Sequence, residues 1–370
     1  LVSFPSFSQR VKEEIESKKL NAFREIIVET PPSYQTDKNR KYPLLLLLDG
    51  QYLFDPFSGI LSYTSYWNDL PEVIIVGVNQ SDAEKRKLET QVSEGSGLPF
   101  EESDRFFQFI TDELMPYLEK NYRISPFRIV AGHDATAGFT NFFLYKQSPA
   151  FNAYISFSPE LPDGVESMLT EKIKASKKPL YYYMATADGD VQRLQKKIKP
   201  LNDSLQAIKI PNFRYYYNEF KGASHYSLVA LGIPEALYQI FAVYQPITSK
   251  EYQEKIVTLP SGYVQYLEDK YNMIDKDLGI KIEIRLNDFK AIEAAILKNA
   301  KYEELKDLAS LAKKNYPKTI IGEYYEGLFY EMTGNLKKAK KIYLNSYAFN
   351  EIGEYTKDFM INRADHINVD

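Results

Sequence analysis

The sequence predicts an α/β fold with a mostly parallel central sheet, followed by a small all-α C-terminal domain. Three observations carry that expectation. From Phe23 to Tyr244, strand-like and helix-like segments alternate, as they do where each parallel strand needs a crossover helix. Several strand candidates are apolar without interruption, the pattern of strands buried on both faces. After Pro246 the strand signals stop, and Lys, Glu, Ala, Leu and Tyr recur at helical spacing.

The strand candidates, in order, are Arg24–Glu29, Pro43–Leu48, Val73–Val78, Arg128–Ala131, Ala153–Phe157, Leu180–Ala185 and Arg214–Phe220. Each is rich in branched or aromatic residues, which suit a pleated, packed surface. The clearest helix runs from Ser103 to Asn121, with Ser103 as its cap and Phe106, Phe107, Ile110, Leu114 and Leu118 on one face. Thr136–Lys146 also reads as helix. The expected division is residues 1–248 for the α/β domain and 249–370 for the helical one, with Pro317 and Gly334 cutting the latter into helix-sized pieces. There, Tyr324–Tyr330 followed by Gly334–Ala339 and Tyr343 resembles one tetratricopeptide repeat, with Tyr302–Asn315 as a preceding helix. A repeat stack needs several units to bury its faces. A helical appendage and a groove for a protein partner are therefore both open readings.

Composition excludes several classes of function. A net charge of -4 and the absence of a basic stripe argue against nucleic acid as a partner. The longest apolar run, Leu44–Leu48, is too short to span a bilayer, so no membrane span is expected. With no Cys, disulfides, thiolate metal sites and a Cys nucleophile are all ruled out. No zinc spacing or phosphate-binding Gly loop occurs, and Asp188-Gly189-Asp190 is too short for a calcium loop, so no metal or cofactor is expected. Leu1 in place of Met fits either a cleaved export signal or a trimmed chain, which raises a periplasmic or secreted location as an expectation.

The chemistry concentrates at Ile129-Val130-Ala131-Gly132-His133-Asp134-Ala135-Thr136. This has the outline of a G-x-S-x-G nucleophile elbow, a sharp strand-to-helix turn that thrusts a Ser hydroxyl at the substrate. Gly132 is kept, Asp134 stands where Ser is expected, and Thr136 replaces the second Gly. That last exchange suggests a relaxed turn. Downstream come Asp188 and Asp190 after a strand, then His225 in Gly222-Ala223-Ser224-His225-Tyr226-Ser227. Nucleophile, acid and His in that chain order is the order of an α/β-hydrolase.

On these residues the chain resembles the putative-esterase family of α/β-hydrolases, which includes enterochelin-type siderophore esterases and esterase D-like enzymes. The resemblance spans residues 20–245. It rests on Leu48-Asp49-Gly50, Tyr117–Arg123 before the elbow, Phe151–Pro159 and Ala223-Ser224-His225. It implies an α/β-hydrolase fold, a small-molecule ester as ligand, and hydrolysis by a Ser-His-acid triad with no metal or organic cofactor. It also places the nucleophile site at Asp134, the base at His225, the acid at Asp188 with Asp190 as alternative, and oxyanion donors on the backbone of Ala135 and of the Gly50-Gln51 turn. Arg86 and Glu89 fall at the family's charged active-site loop, where solvated loop charges are the competing explanation.

A carboxylate has no proton to surrender and forms an unstable anhydride with an ester, so ester hydrolysis through Asp134 is expected to be impaired or altered. Three readings follow: an impaired or altered hydrolase, a catalytically silent ligand-binding or scaffold protein, and an Asp-nucleophile hydrolase. Against the third stand Ala135 where haloalkane enzymes carry Trp, Asp49-Gly50-Gln51-Tyr52 where epoxide hydrolases carry H-G-x-P, and a Ser158–Leu180 stretch too short for a lid. An Asp before a helix can instead serve geometry, accepting backbone N–H bonds and tolerating a left-handed backbone. His133 reads as a packing residue, and His366 receives no role. The Tyr181–Tyr183 and Tyr215–Tyr217 runs read as core with polar tips, or as walls of a pocket.

Overall fold

The computed structural model describes residues 9–93, 95–146 and 149–368. Within them the chain forms two units, one running to Tyr244 and taking in Lys276–Ile280, the other comprising Gln245–Asp275 and the residues from Lys281 onward.

The first unit is built on an eight-stranded sheet in the order β1-β2-β4-β3-β5-β6-β7-β8. Its interior includes the neighbouring strands β3 (Tyr42–Leu47) and β4 (Ile74–Val78), in which every residue is buried. That explains their unbroken apolar sequences, because crossover helices cover both faces. β5 (Ile124–His133), β6 (Ala153–Phe157), β7 (Leu180–Gly189) and β8 (Phe213–Ser224) continue the sheet in parallel. β2 (Ala22–Thr30) joins β4 antiparallel, and β1 (Gln9–Ser17) closes that edge. β1 escaped the sequence reading because Gln-Arg-Val-Lys-Glu-Glu-Ile-Glu-Ser is mostly charged. Such charges suit an edge strand, where they discourage pairing with another chain.

The helices are α1 (Gly50–Tyr66), α2 (Ala83–Thr90), α3 (Glu102–Gln108), α4 (Met115–Asn121), α5 (Ala135–Thr140), α6 (Val165–Ala175), α7 (Gln192–Gln206) and α8 (Ser227–Ile240). The helix expected over Ser103–Asn121 is present but contains a π-helical turn at Phe109–Leu114 between α3 and α4. Ser103 is the second residue of α3 rather than its cap, and its hydroxyl accepts the Phe100 N–H of the preceding turn at 2.8 Å. Between β6 and β7 the described residues hold only α6 and loop, with no inserted lid.

The second unit is helical: α9 (Ser249–Glu251), α10 (Tyr263–Leu278), α11 (Leu286–Lys298), α12 (Glu304–Asn315), α13 (Ile320–Met332), α14 (Leu336–Asn345) and α15 (Lys357–Asp365), of which the last turn of α10 belongs to the first unit. α13 and α14 form a hairpin around Gly334 (φ 85°). Gly327 lets them close, since a Cβ there would sit 2.3 Å from Cε1 of Tyr343.

Candidate active site

β5 delivers Asp134 to the mouth of α5 with φ 59° and ψ -122°. This is the strained conformation of a nucleophile elbow, so the turn is not relaxed as Thr136 suggested. Close packing explains why. A Cβ at Gly132 would lie 2.7 Å from the Ala137 nitrogen, and one at Gly138 would lie 1.8 Å from the Glu160 carbonyl oxygen. The glycine that the turn demands after the elbow is therefore Gly138, and position 136 has room for a side chain. Thr136 uses it: its hydroxyl accepts the His133 N–H at 3.0 Å and lies 2.7 Å from Oδ2 of Asp49.

The Asp134 main chain is fully tied, its N–H donating to Phe157 O at 3.0 Å and its carbonyl accepting from Gly138 and Glu160. Its carboxylate is the opposite. It caps no backbone N–H of α5, so of the two geometric roles open to an acidic residue here only tolerance of a positive φ is left. Among the described residues its sole charged neighbour is Arg86, whose Nη1 stands 3.7 Å from Oδ2.

Arg86, on α2, is committed elsewhere. Its Nε and Nη2 fork onto Asp49 at 2.6 and 2.8 Å, and Nη2 also donates to the His133 carbonyl at 3.2 Å. Burial works against that guanidinium charge, but the hydrogen bonds and charge of Asp49 outweigh it, and the Arg86 pKa rises. Asp49 is wholly buried and also accepts the Tyr52 hydroxyl at 2.9 Å. Arg86 is thus a component of the site rather than a solvated loop charge. Glu89 is structural, buried against the Arg24 guanidinium and Gln80.

His225 follows β8, and its Nδ1 lies 2.7 Å from Oδ1 of Asp190. The carboxylate that His225 meets is thus Asp190, the alternative in the sequence reading, and not Asp188, which that reading put first. The chain kinks between Ala187 and Gly189, where the β7–β8 register shifts; Asp188 is exposed, and its carboxylate accepts the Gly222 N–H at 2.8 Å. Asp190 turns inward and also accepts the Thr186 hydroxyl at 2.6 Å, the Ser158 hydroxyl at 2.9 Å and the Val191 N–H at 2.7 Å. Burial alone would raise its pKa, but these bonds, led by that from His225, bring it down to about 2. Nε2 of His225 has no partner among the described residues.

His133, expected to be a packing residue, lines the cavity. Its ring lies 4.5 Å from that of His225, with Nδ1 3.2 Å from the Tyr52 hydroxyl and Nε2 3.1 Å from the His225 carbonyl. Burial, reinforced by repulsion from His225, pushes its pKa down to about 4. The cavity above Asp134 and His225 has a volume of about 510 Å³, walled further by Tyr52, Pro56, Tyr226 and Val229. A second cavity of about 900 Å³ opens on the other side of Asp134 and includes Ala135 and Gly138.

Of the oxyanion-donor candidates, only Ala135 lines either cavity. Gly50 is packed against β4, where a Cβ would fall 2.7 Å from Gly77, and the Gln51 side chain accepts the Gln80 N–H at 2.9 Å. Tyr181–Tyr183 belong to the core, while Tyr215–Tyr217 are half-buried, Tyr215 and Tyr217 packed against it; the hydroxyls of Tyr181, Tyr182 and Tyr215 are bonded to Asp277, Asn141 and Asn202. His366 is exposed and bonded to its own helix. Sequence reasoning missed Tyr52 and Tyr226 as cavity walls and Asp49 as the anchor of Arg86. Only Asp49 carried a signal, as part of the Leu48-Asp49-Gly50 motif. Among the described residues, no cluster of three or more His, Asp or Glu side chains is placed to hold a metal, and no helix is long and apolar enough to cross a membrane.

Strand order and elbow define an α/β-hydrolase. Residues 17–182 match the family described as "Putative esterase". It is 24% identical over 224 residues to the ferri-bacillibactin esterase BesA of Bacillus subtilis, a match covering 53% of this chain and 78% of that protein. Among solved structures, it is similar to an uncharacterised protein from Capnocytophaga ochracea, at 31% identity and a TM-score of 0.86 over 97% of this chain and 99% of that one. An IroE-like serine hydrolase from Shewanella oneidensis shares the fold, at 21% identity and a TM-score of 0.61, over 83% of this chain and 99% of that one.

Proposed function

We propose that this chain is an esterase-family hydrolase in which the covalent acyl-enzyme route is closed at Asp134 and the remaining His225–Asp190 pair acts directly on water, giving slow ester hydrolysis. The observation that carries the reading is the 2.7 Å contact of His225 Nδ1 with Asp190, in the same cavity as an elbow that holds a carboxylate. In this scheme Nε2 of His225 takes a proton from water as the oxygen attacks the ester carbonyl. The backbone N–H of Ala135 receives the developing oxyanion, and the imidazolium returns the proton to the departing alcohol. The match to the family described as "Putative esterase" and the similarity to the ferri-bacillibactin esterase BesA support an ester as the ligand class.

Asp134 as a nucleophile toward saturated carbon is the weaker reading, because the described residues between β6 and β7 hold no lid to exclude water. A second reading, ligand binding without turnover, draws on the carboxylate that stands at the elbow in place of a hydroxyl. p-Nitrophenyl acetate separates the two. Slow hydrolysis above background without an initial burst, raised at least about tenfold by Asp134→Ser, supports a hydrolase lacking its nucleophile. A correctly folded Asp134→Ser protein with no gain leaves binding as the function.

A further inference from the structure

The charges of the cavity do not balance, and the imbalance has a direction. Asp134 and Arg86 are the acidic and the strongly basic side chains on its wall, beside the imidazoles of His133 and His225. Arg86 is already forked onto the buried Asp49 at 2.6 and 2.8 Å, a geometry that neutralises the guanidinium and uses its best donors. It meets Asp134 only across 3.7 Å, longer than any hydrogen bond. What faces the cavity is therefore a carboxylate with no hydrogen-bond donor of its own among the described residues. His133, held neutral near neutral pH by its burial, adds no compensating charge.

The rest of the wall suits a cation with an apolar body. Tyr226 is 79% exposed and Tyr52 43% exposed, both on the cavity, with Pro56 and Val229 beside them. The electron-rich face of a tyrosine attracts an ammonium group, most strongly where water is partly displaced. Ester substrates of a serine hydrolase meet a neutral hydroxyl at the elbow, whereas here they meet a negative charge between aromatic walls. We infer that the cavity takes an alkylammonium group, its cationic head held between Asp134 and the rings of Tyr52 and Tyr226. This rests on Asp134 facing the ligand of the proposed hydrolase site, and is independent of whether ester turnover survives.

The test uses three probes of one shape: choline, its neutral isostere 3,3-dimethylbutan-1-ol, and the anion 3,3-dimethylbutanoate, each titrated into the full chain by NMR or calorimetry. Choline is expected to bind about tenfold more tightly than the alcohol, and the carboxylate more weakly than either. Asp134→Asn should remove the preference for choline over the alcohol. Tyr226→Leu keeps an apolar wall at an exposed position where folding is not at risk, and should weaken choline severalfold while sparing the alcohol. Failure of choline to bind, equal or tighter binding of the carboxylate, or a choline preference that survives Asp134→Asn overturns the inference. p-Nitrophenyl acetate turnover by Asp134→Ser is read separately, so the loss of one claim does not disguise the loss of the other.

Discussion

Oδ1 of Asp190 lies 2.7 Å from Nδ1 of His225 while Oδ2 accepts the Thr186 hydroxyl at 2.6 Å, so the carboxylate that orients the imidazole is itself fixed from its far side. Removing that orientation has a definite cost. In a protein carrying Asp134→Ser, adding Asp190→Asn should lower p-nitrophenyl acetate turnover by a factor of about 100 to 10,000, as loss of the acid does in Ser-His-Asp sites. Asp188→Asn in the same protein should change it less than about threefold, since Asp188 bonds only the Gly222 N–H on that strand pair. Steady-state kinetics on the two double variants decides which Asp is the partner.

Asp49, wholly buried, and Arg86, half-buried, form a forked ion pair. Breaking such a pair from one side leaves a desolvated charge without a partner. Asp49→Asn and Arg86→Met should each lower unfolding free energy by about 3 kcal/mol, and the double variant by less than the sum. Urea titrations of the four proteins measure the coupling.

His133 makes stability depend on pH in a known direction. Its pKa in the folded protein is about 4, against 6.5 for the free side chain, so between those values the unfolded chain binds the extra proton. Stability from this residue is complete above pH 6.5 and is lost as pH falls toward 4. The loss should be on the order of 2–3 kcal/mol across that window. Replacing His133 by Gln should flatten the window, which thermal melts at stepped pH will show.

Gly138→Ala should destabilise the fold by about 3 kcal/mol or more, because its Cβ would overlap the Glu160 carbonyl oxygen at 1.8 Å, and both are backbone. Gly59→Ala is the matched contrast. Nothing lies within 4 Å of a Cβ at that position inside α1, so it should stabilise by about 0.5–1 kcal/mol. Chemical denaturation of both variants tests whether the elbow's glycine requirement sits at position 138.

The central sheet was legible because buried parallel strands have few ways to be written: Leu44–Leu47 and Ile74–Val78 are apolar without relief. β1 was not, because an edge strand facing solvent can be as polar as a loop. The positions of Asp134 and His225 followed from chain order, as the elbow and the loop after β8 are fixed points of the topology. The choice between Asp188 and Asp190 did not, since it turns on a register shift that no count of residues reveals. Thr136 misled for a related reason: the glycine rule at an elbow answers a steric contact, and here that contact falls two residues later, at Gly138. The Asp49–Arg86 pair joins residues thirty-seven apart, and the side chain that anchors it gives no local sign of its partner.

Asp134 holds φ 59° and ψ -122°, a shape that a residue without a side chain would adopt at no steric cost. Keeping a branched carboxylate there costs about 1–3 kcal/mol. Selecting variants of this protein for heat resistance alone should therefore drift toward Asp134→Gly, producing a hardier molecule with an empty elbow and no charge to offer a guest.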